Sequence, residues 1–131
     1  MELSATFARK IRDTIGPCSL WTWPTPLESA PTLAAALGLR ELWLKREDAA
    51  GGNKVRGLEF LLGGAPGSVF VSVGGSGSTH CLALARHGRA LGHRVALAQF
   101  PQPATPASLA VAAATAAHAD LIVRAPRVAL P

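Results

Sequence analysis

Ser68-Val69-Phe70-Val71-Ser72-Val73-Gly74-Gly75-Ser76-Gly77-Ser78-Thr79-His80-Cys81-Leu82-Ala83-Leu84-Ala85 is the stretch whose reading decides the fold. Its first six residues form a β-branched and aromatic run suited to a buried strand. Glycines at 74, 75 and 77 free the backbone for a turn, and Leu82, Leu84, Ala85 and Leu91 then mark a helix that closes at Gly92. A glycine turn between a buried strand and a helix presents several backbone N–H groups, with the helix dipole, to a single anion. Ser78 and Thr79 add hydroxyl donors at the helix start; either one, taken singly, reads better as a helix N-cap.

Downstream, Arg94 to Phe100 reads as the next strand, 101–106 as a loop, Ala107 to Ala117 as a helix and Asp120 to Val123 as a last strand. Strand, helix, strand, helix, strand in that order predicts an α/β fold with a three-layer parallel sheet. Leu109 to Val123 is the one candidate membrane span. It is mostly alanine and is interrupted by Thr115, His118 and Asp120, so a buried helix plus strand fits better. The glycine turn lacks what a dinucleotide site needs, a third glycine near Leu82 to Ala83 and an acid ending the next strand, where Gln99 and Phe100 stand. It also lacks the Gly-Lys-Ser or Gly-Lys-Thr of a Walker loop.

Upstream, Leu42-Trp43-Leu44-Lys45-Arg46-Glu47-Asp48 reads as a short strand with a charged edge, followed by Gly51-Gly52-Asn53-Lys54-Val55-Arg56-Gly57. Asn53 stands where an N-cap belongs, and Val55, Leu58, Leu61 and Leu62 recur at helical spacing from Lys54 onward. The first turn of that helix holds Lys54 and Arg56 and no acid before Glu59, against the preference of the helix dipole. Local rules tend to be broken at working sites. A lysine repelled by the dipole and by Arg56 is expected to hold its proton less firmly and to offer the free amine that makes a Schiff base. The plainer alternative is a surface lysine at a helix start.

The remainder is less patterned. Residues 3–13 are expected to form a short helix capped by Ser4, with Phe7 and Ile11 on one face. Gly16 to Pro31, with Trp21, Trp23, Pro24 and Pro26, reads as an extended segment without regular structure, which packs rather than serving as a proline-motif ligand. Pro31 or Thr32 opens an alanine-rich helix to Leu37 closed by Gly38, and Pro66-Gly67 is a break. At 131 residues the chain can build its own core. Its net charge of +5 comes from scattered arginines rather than a basic block, so small anions are better partners than nucleic acid. Cys18 and Cys81 have no metal-ligand spacing and are expected to be reduced thiols. Met1 to Lys10 has no apolar core of signal-peptide length, and the expected location is cytoplasmic.

Three blocks resemble the D-cysteine desulfhydrase and aminocyclopropane-carboxylate deaminase family of pyridoxal-phosphate enzymes. They are Leu44-Lys45-Arg46-Glu47-Asp48, then Gly51-Gly52-Asn53-Lys54-Val55-Arg56 with Leu58-Glu59-Phe60-Leu61-Leu62, and Gly74-Gly75-Ser76-Gly77-Ser78-Thr79-His80-Cys81. They stand in the family's order and at close to its spacing, within Trp21 to Gln102. The resemblance implies a tryptophan-synthase-β-like fold, with residues 1–66 the first part of the large, cofactor-lysine domain and 67–131 the small α/β domain. It implies pyridoxal 5'-phosphate as cofactor, attached to Lys54, with Asn53 and Thr79 beside it. Ser78 matches a serine credited with substrate contact and catalysis, and Gly75, Gly77, Ser78, Thr79 and His80 form the substrate site.

The chain departs from the family in three ways. Thr79 falls where the family has an asparagine bonded to the ring 3-oxygen, and Gly57 replaces a lysine that helps hold the cofactor phosphate. Family members are more than twice this long, and their phosphate loop lies downstream of the position of Pro131. The implied activity is that of a lyase or deaminase acting on a small amino acid, homodimeric at full length, with no nucleic acid, membrane or metal involved. Two other readings stay open: a freestanding α/β module whose Gly74 to Thr79 turn holds an anion without covalent chemistry, and an inactive remnant with inherited motifs.

Overall fold

The computed structural model describes residues 2–65 and 67–126, with the side chains of residues 2–5 and 8 outside that description. Ser4 lies within the first helix rather than ahead of it, its side chain among those not described, and Pro66 of the expected break is not described either. The elements are α1 (Glu2–Ile15), β1 (Leu27–Ser29), α2 (Pro31–Ala36), β2 (Trp43–Lys45), α3 (Val55–Gly63), β3 (Val69–Gly75), α4 (Thr79–Ala90), β4 (Arg94–Phe100), α5 (Pro106–His118) and β5 (Leu121–Arg124). A 3-10 turn, Glu47–Ala50, sits between β2 and α3.

The expected parallel α/β sheet is present, with strand order β3-β4-β5 and β4 in the centre. Phe70 pairs with Val95, Ser72 with Leu97 and Gly74 with Gln99, while Leu97 and Gln99 pair in turn with Ile122 and Arg124. Strand side chains alternate, so these residues share one face. That face receives the helices: Val95, Leu97, Leu84, Cys81 and Ala85 form the core with Phe70 and Ile122 against it, and α4 packs on α5. The opposite face carries Val69, Val71, Val73, Leu121 and Val123, each more than half exposed, so among the described residues the expected third layer is not formed. Asp120 ties the start of β5 to the centre, its carboxylate accepting from the Val95 N–H at 2.7 Å.

In the N-terminal half, β1 and β2 form a separate two-stranded ribbon. The Gly16 to Pro31 segment was expected to lack regular structure, yet Leu27–Ser29 forms β1 and pairs antiparallel with β2, Leu27 opposite Lys45 and Ser29 opposite Trp43. The correction has a simple cause: a three-residue strand holds its place through its ladder partner, not through its own pattern. Lys45 Nζ adds bonds to the Thr25 hydroxyl and carbonyl, and Arg46 Nη1 bonds Glu28 across the ribbon at 2.6 Å.

Leu58 and Leu62 of α3 belong to the same core cluster as Cys81, Leu84 and Ala85 of α4. Glu59, on the next position of α3, is 8% exposed and accepts the Leu20 N–H at 2.8 Å and the Trp23 indole N–H at 2.7 Å. One helix therefore anchors both the sheet side and the tryptophan segment.

Candidate active site

Two structures carry the candidate chemistry, and each is built by its glycines. Gly51 and Gly52 have φ of 88° and 110°, a region that side chains resist, and they reverse the chain between the 3-10 turn and α3. The helix then starts at Val55 with Lys54 as its N-cap residue, in helical conformation and with no side-chain cap bond. The expected N-cap at Asn53 is thus displaced by one residue. The glycine pair delivers the chain already in helical geometry at Lys54, so Asn53 stays exposed in the turn. Lys54 is exposed, and among the described residues its Nζ has no protein partner.

Arg56 does not stand as a bare cation beside Lys54. Its Nε and Nη2 fork the two oxygens of Glu47 at 2.9 and 2.7 Å, and its guanidinium lies over the Trp23 ring. That fork pulls the Glu47 carboxyl down to about 2, helped by the Thr25 hydroxyl, and raises Arg56 above its ordinary value. Of the two charges that the sequence places against the helix dipole, that of Arg56 is in effect cancelled by an acid from the preceding 3-10 turn, while Lys54 keeps its own.

The second structure is the Gly74–Thr79 turn. Ser78 is the N-cap of α4, and its Oγ accepts the Cys81 N–H at 3.3 Å, leaving the hydroxyl proton free to donate. Within the turn the Ser76 N–H goes to the Phe100 carbonyl at 3.0 Å and the Ser78 N–H to the Gly75 carbonyl at 2.9 Å. The N–H groups of Gly77, Thr79 and His80 bond to no described acceptor. Three free donors at the start of a 12-residue helix suit a carboxylate or phosphate oxygen. Thr79 is exposed at the helix start, and the His80 Nε2 lies 3.2 Å from the Ser72 hydroxyl on β3, which fixes the ring.

Gln102 is a supporting residue that sequence reasoning missed. Its side-chain amide presses on Gly75 and Gly77 so closely that a β-carbon at either position would collide with it, and Ser108 closes the far side of Gly77. The Pro101 to Pro106 stretch gives no local signal of this contact, because the partner is 25 or more residues upstream. The structure therefore assembles Gly75, Gly77, Ser78, Thr79 and His80 in one turn. Lys54 and Asn53 lie on a second turn, tied to the first through the shared core of α3 and α4.

A family model described as pyridoxal-phosphate dependent enzyme matches residues 18–126, a span that takes in both turns. The chain belongs to the pyridoxal-phosphate dependent enzyme family. Among curated members, the D-cysteine desulfhydrases of Salmonella paratyphi B and Salmonella newport are each 42% identical to it, across 60% of this chain and 26% of theirs. A solved structure of an ACC deaminase homologue aligns with a TM-score of 0.70 and 25% identity, covering 89% of this chain and 38% of its own. The chain thus spans about a quarter of the length of the curated relatives it matches. Pyridoxal phosphate is the cofactor of the family, and two features here fit it. Lys54 offers an amine-bearing side chain with no described partner, and the Gly74–Thr79 turn offers unpaired N–H groups for an acid group. Among the described residues no helix is long and apolar enough to cross a membrane.

Proposed function

We propose that the chain carries the cofactor lysine and the substrate-binding turn of a lyase or deaminase acting on a small amino acid, of the D-cysteine desulfhydrase or aminocyclopropane-carboxylate deaminase type. The observation that carries this reading is the pairing of a partner-free Lys54 on α3 with an N–H-rich glycine turn on α4, the two helices sharing one core. Pyridoxal phosphate, when bound, supplies the electron sink for a carbanion at the substrate. Lys54 would be its point of covalent attachment and, once the substrate amine has displaced it and freed its own amine, the base that moves the proton at the substrate α or β carbon. Asn53 and Thr79 contact the cofactor. The Gly75 to Gly77 backbone, with Ser78, Thr79 and His80, holds the substrate carboxylate, and Ser72 keeps the His80 ring in place.

In the whole enzyme we assign residues 1–66 to the large domain and 67–131 to the small one, in a cytoplasmic homodimer. The test is covalent: mix the chain with pyridoxal phosphate, follow the absorbance band of the attached cofactor, reduce with borohydride and map the peptides. A label on Lys54 is expected. Lys45 is already engaged with Thr25 and should compete poorly. A label on Lys10 or Lys45 with none on Lys54 overturns the proposal.

The free N–H groups of the turn also favour a second reading, in which it holds a carboxylate or phosphate without covalent chemistry. Anion binding that survives Lys54→Ala, together with an unlabelled Lys54 in the parent chain, would select that reading.

A further inference from the structure

A cavity of about 350 Å³ opens between the C-terminal ends of β4 and β5 and the first turns of α5, on the helix-covered face of the sheet. We propose that it is a binding site for a small organic monocarboxylate with a compact apolar body. The cavity borders the glycine turn through Ser76 and Gln102, but the proposal needs neither Lys54 nor the free N–H groups of that turn.

The polar end of the cavity is built from Gln99 and Arg124, which pair in register on adjacent strands and so share one face. Gln99 is 3% exposed, and its side-chain Nε2 is a buried donor with no hydrogen-bond partner among the described residues. Buried donors are nearly always satisfied, so an orphan in a cavity wall calls for an acceptor from outside the chain. Its neighbour across β3 is Gly74, which has no side chain to supply one.

Arg124 is exposed and forms no ion pair among the described residues, and no Asp or Glu lines the cavity. A guanidinium and an amide N–H without an acid nearby select an anion, and the guanidinium fork matches a carboxylate. The rest of the wall is mostly carbon, with Phe100, Pro101, Leu109 and Ala112 around the body of the occupant, and Ser76, Gln102 and Ser108 add polar atoms along the side of the glycine turn. Two nitrogen donors at one end of a cavity whose wall is mostly carbon describe a carboxylate with a short hydrocarbon tail better than a phosphate, which carries more charge and more oxygens to satisfy.

The experiment uses the 131-residue chain, labelled with nitrogen-15 and titrated with isovalerate, isovaleramide and inorganic phosphate. Isovalerate should shift the Gln99 side-chain amide together with the backbone amides of Leu109 and Ala112. Isovaleramide and phosphate should bind about tenfold more weakly or worse, because neither offers both the charge and the tail. Arg124→Gln, at an exposed position that should leave the fold intact, should weaken isovalerate by about tenfold, and Gln99→Leu should remove the remainder. Unchanged isovalerate binding in Arg124→Gln overturns the proposal. So do equal affinities for isovaleramide or phosphate, or shifts confined to Gly77, Thr79 and His80.

Discussion

The guanidinium carbon of Arg56 lies 4.1 Å from the centroid of the Trp23 ring, joining the first turn of α3 to a segment more than thirty residues upstream. On the same helix Glu59 accepts from the Trp23 indole N–H and from the Leu20 N–H, both through Oε1. The tryptophan is thus held by its face and by its edge, which fixes the Leu20 to Trp23 segment against the lysine-bearing helix. Glu59→Leu should leave both donors unpaired in a buried site and cost about 2 to 4 kcal/mol. Glu59→Gln keeps an acceptor oxygen and should cost about 1 kcal/mol. Urea unfolding followed by tryptophan fluorescence separates the two, and equal losses would remove Glu59 from this role.

Acid should loosen the same region. The Arg56 fork holds the folded-state Glu47 carboxyl at about 2, below its unfolded value of about 4.3. A depressed carboxyl contributes stability that is present above the unfolded value and is lost as pH falls from there through about 2. The urea midpoint should therefore decline across that window, and Glu47→Gln should flatten part of the decline. Asp48, lowered by its bond to Arg46, keeps the rest of the slope in that variant.

Gly57 occupies α3 with open space around its missing β-carbon. Gly57→Ala should raise stability by about 0.5 to 1 kcal/mol, since alanine loses less backbone entropy in a helix. Gly57→Lys, which supplies the lysine that the family resemblance implies at this position, should tighten pyridoxal phosphate by about 1 to 2 kcal/mol if its ammonium reaches the phosphate. Thermal unfolding reads the first effect and a cofactor titration the second. An unchanged dissociation constant would place the phosphate elsewhere.

The glycine turn should resist substitution unevenly. A β-carbon at Gly75 would meet the end of the Gln102 side chain, which can swing away, whereas at Gly77 it would also meet the Cα and Cβ of Ser108. Gly77→Ala should cost about 1 to 3 kcal/mol by overpacking and Gly75→Ala less. Adding Gln102→Ala should rescue Gly75→Ala but not Gly77→Ala. Guanidinium unfolding of the four variants supplies the comparison.

Hydrogen exchange should follow the shared core rather than the linker between α3 and β3. Helix α3 contributes Leu58, at 1% exposed, and Leu62, at 2%, to the cluster that contains Val95 and Leu97 of β4. Its central amides should exchange as slowly as those of α4, with β4 slowest as the middle strand. Protection limited to Val69 to Val123, with α3 exchanging freely, would show that the two halves open separately.

Much of the molecule was legible residue by residue. The β-branched run before Gly74, the glycine turn, the Ser78 cap and the Gly92 stop define β3 and α4 by local chemistry, and the structure ends those elements within two residues of the reading. Such signals survive in a single sequence because they depend on neighbours at spacings of two to four. Asn53 shows the limit of that approach, since which residue of the Gly51 to Lys54 turn takes the cap position depends on how the preceding 3-10 turn delivers the chain.

What the sequence determined by itself was the order of the C-terminal strands and helices and the two glycine turns with Lys54 and Ser78 upon them. Tertiary structure alone decided that Leu27–Ser29 pairs with Trp43–Lys45, that Glu47 neutralises Arg56, that Gln102 braces Gly75 and Gly77, and that Gln99 is buried without a partner. The division has a physical cause. Helical and strand periodicity is written into near neighbours, whereas a ladder partner, an ion pair or an orphaned amide exists only once chain closure brings residues from distant positions together.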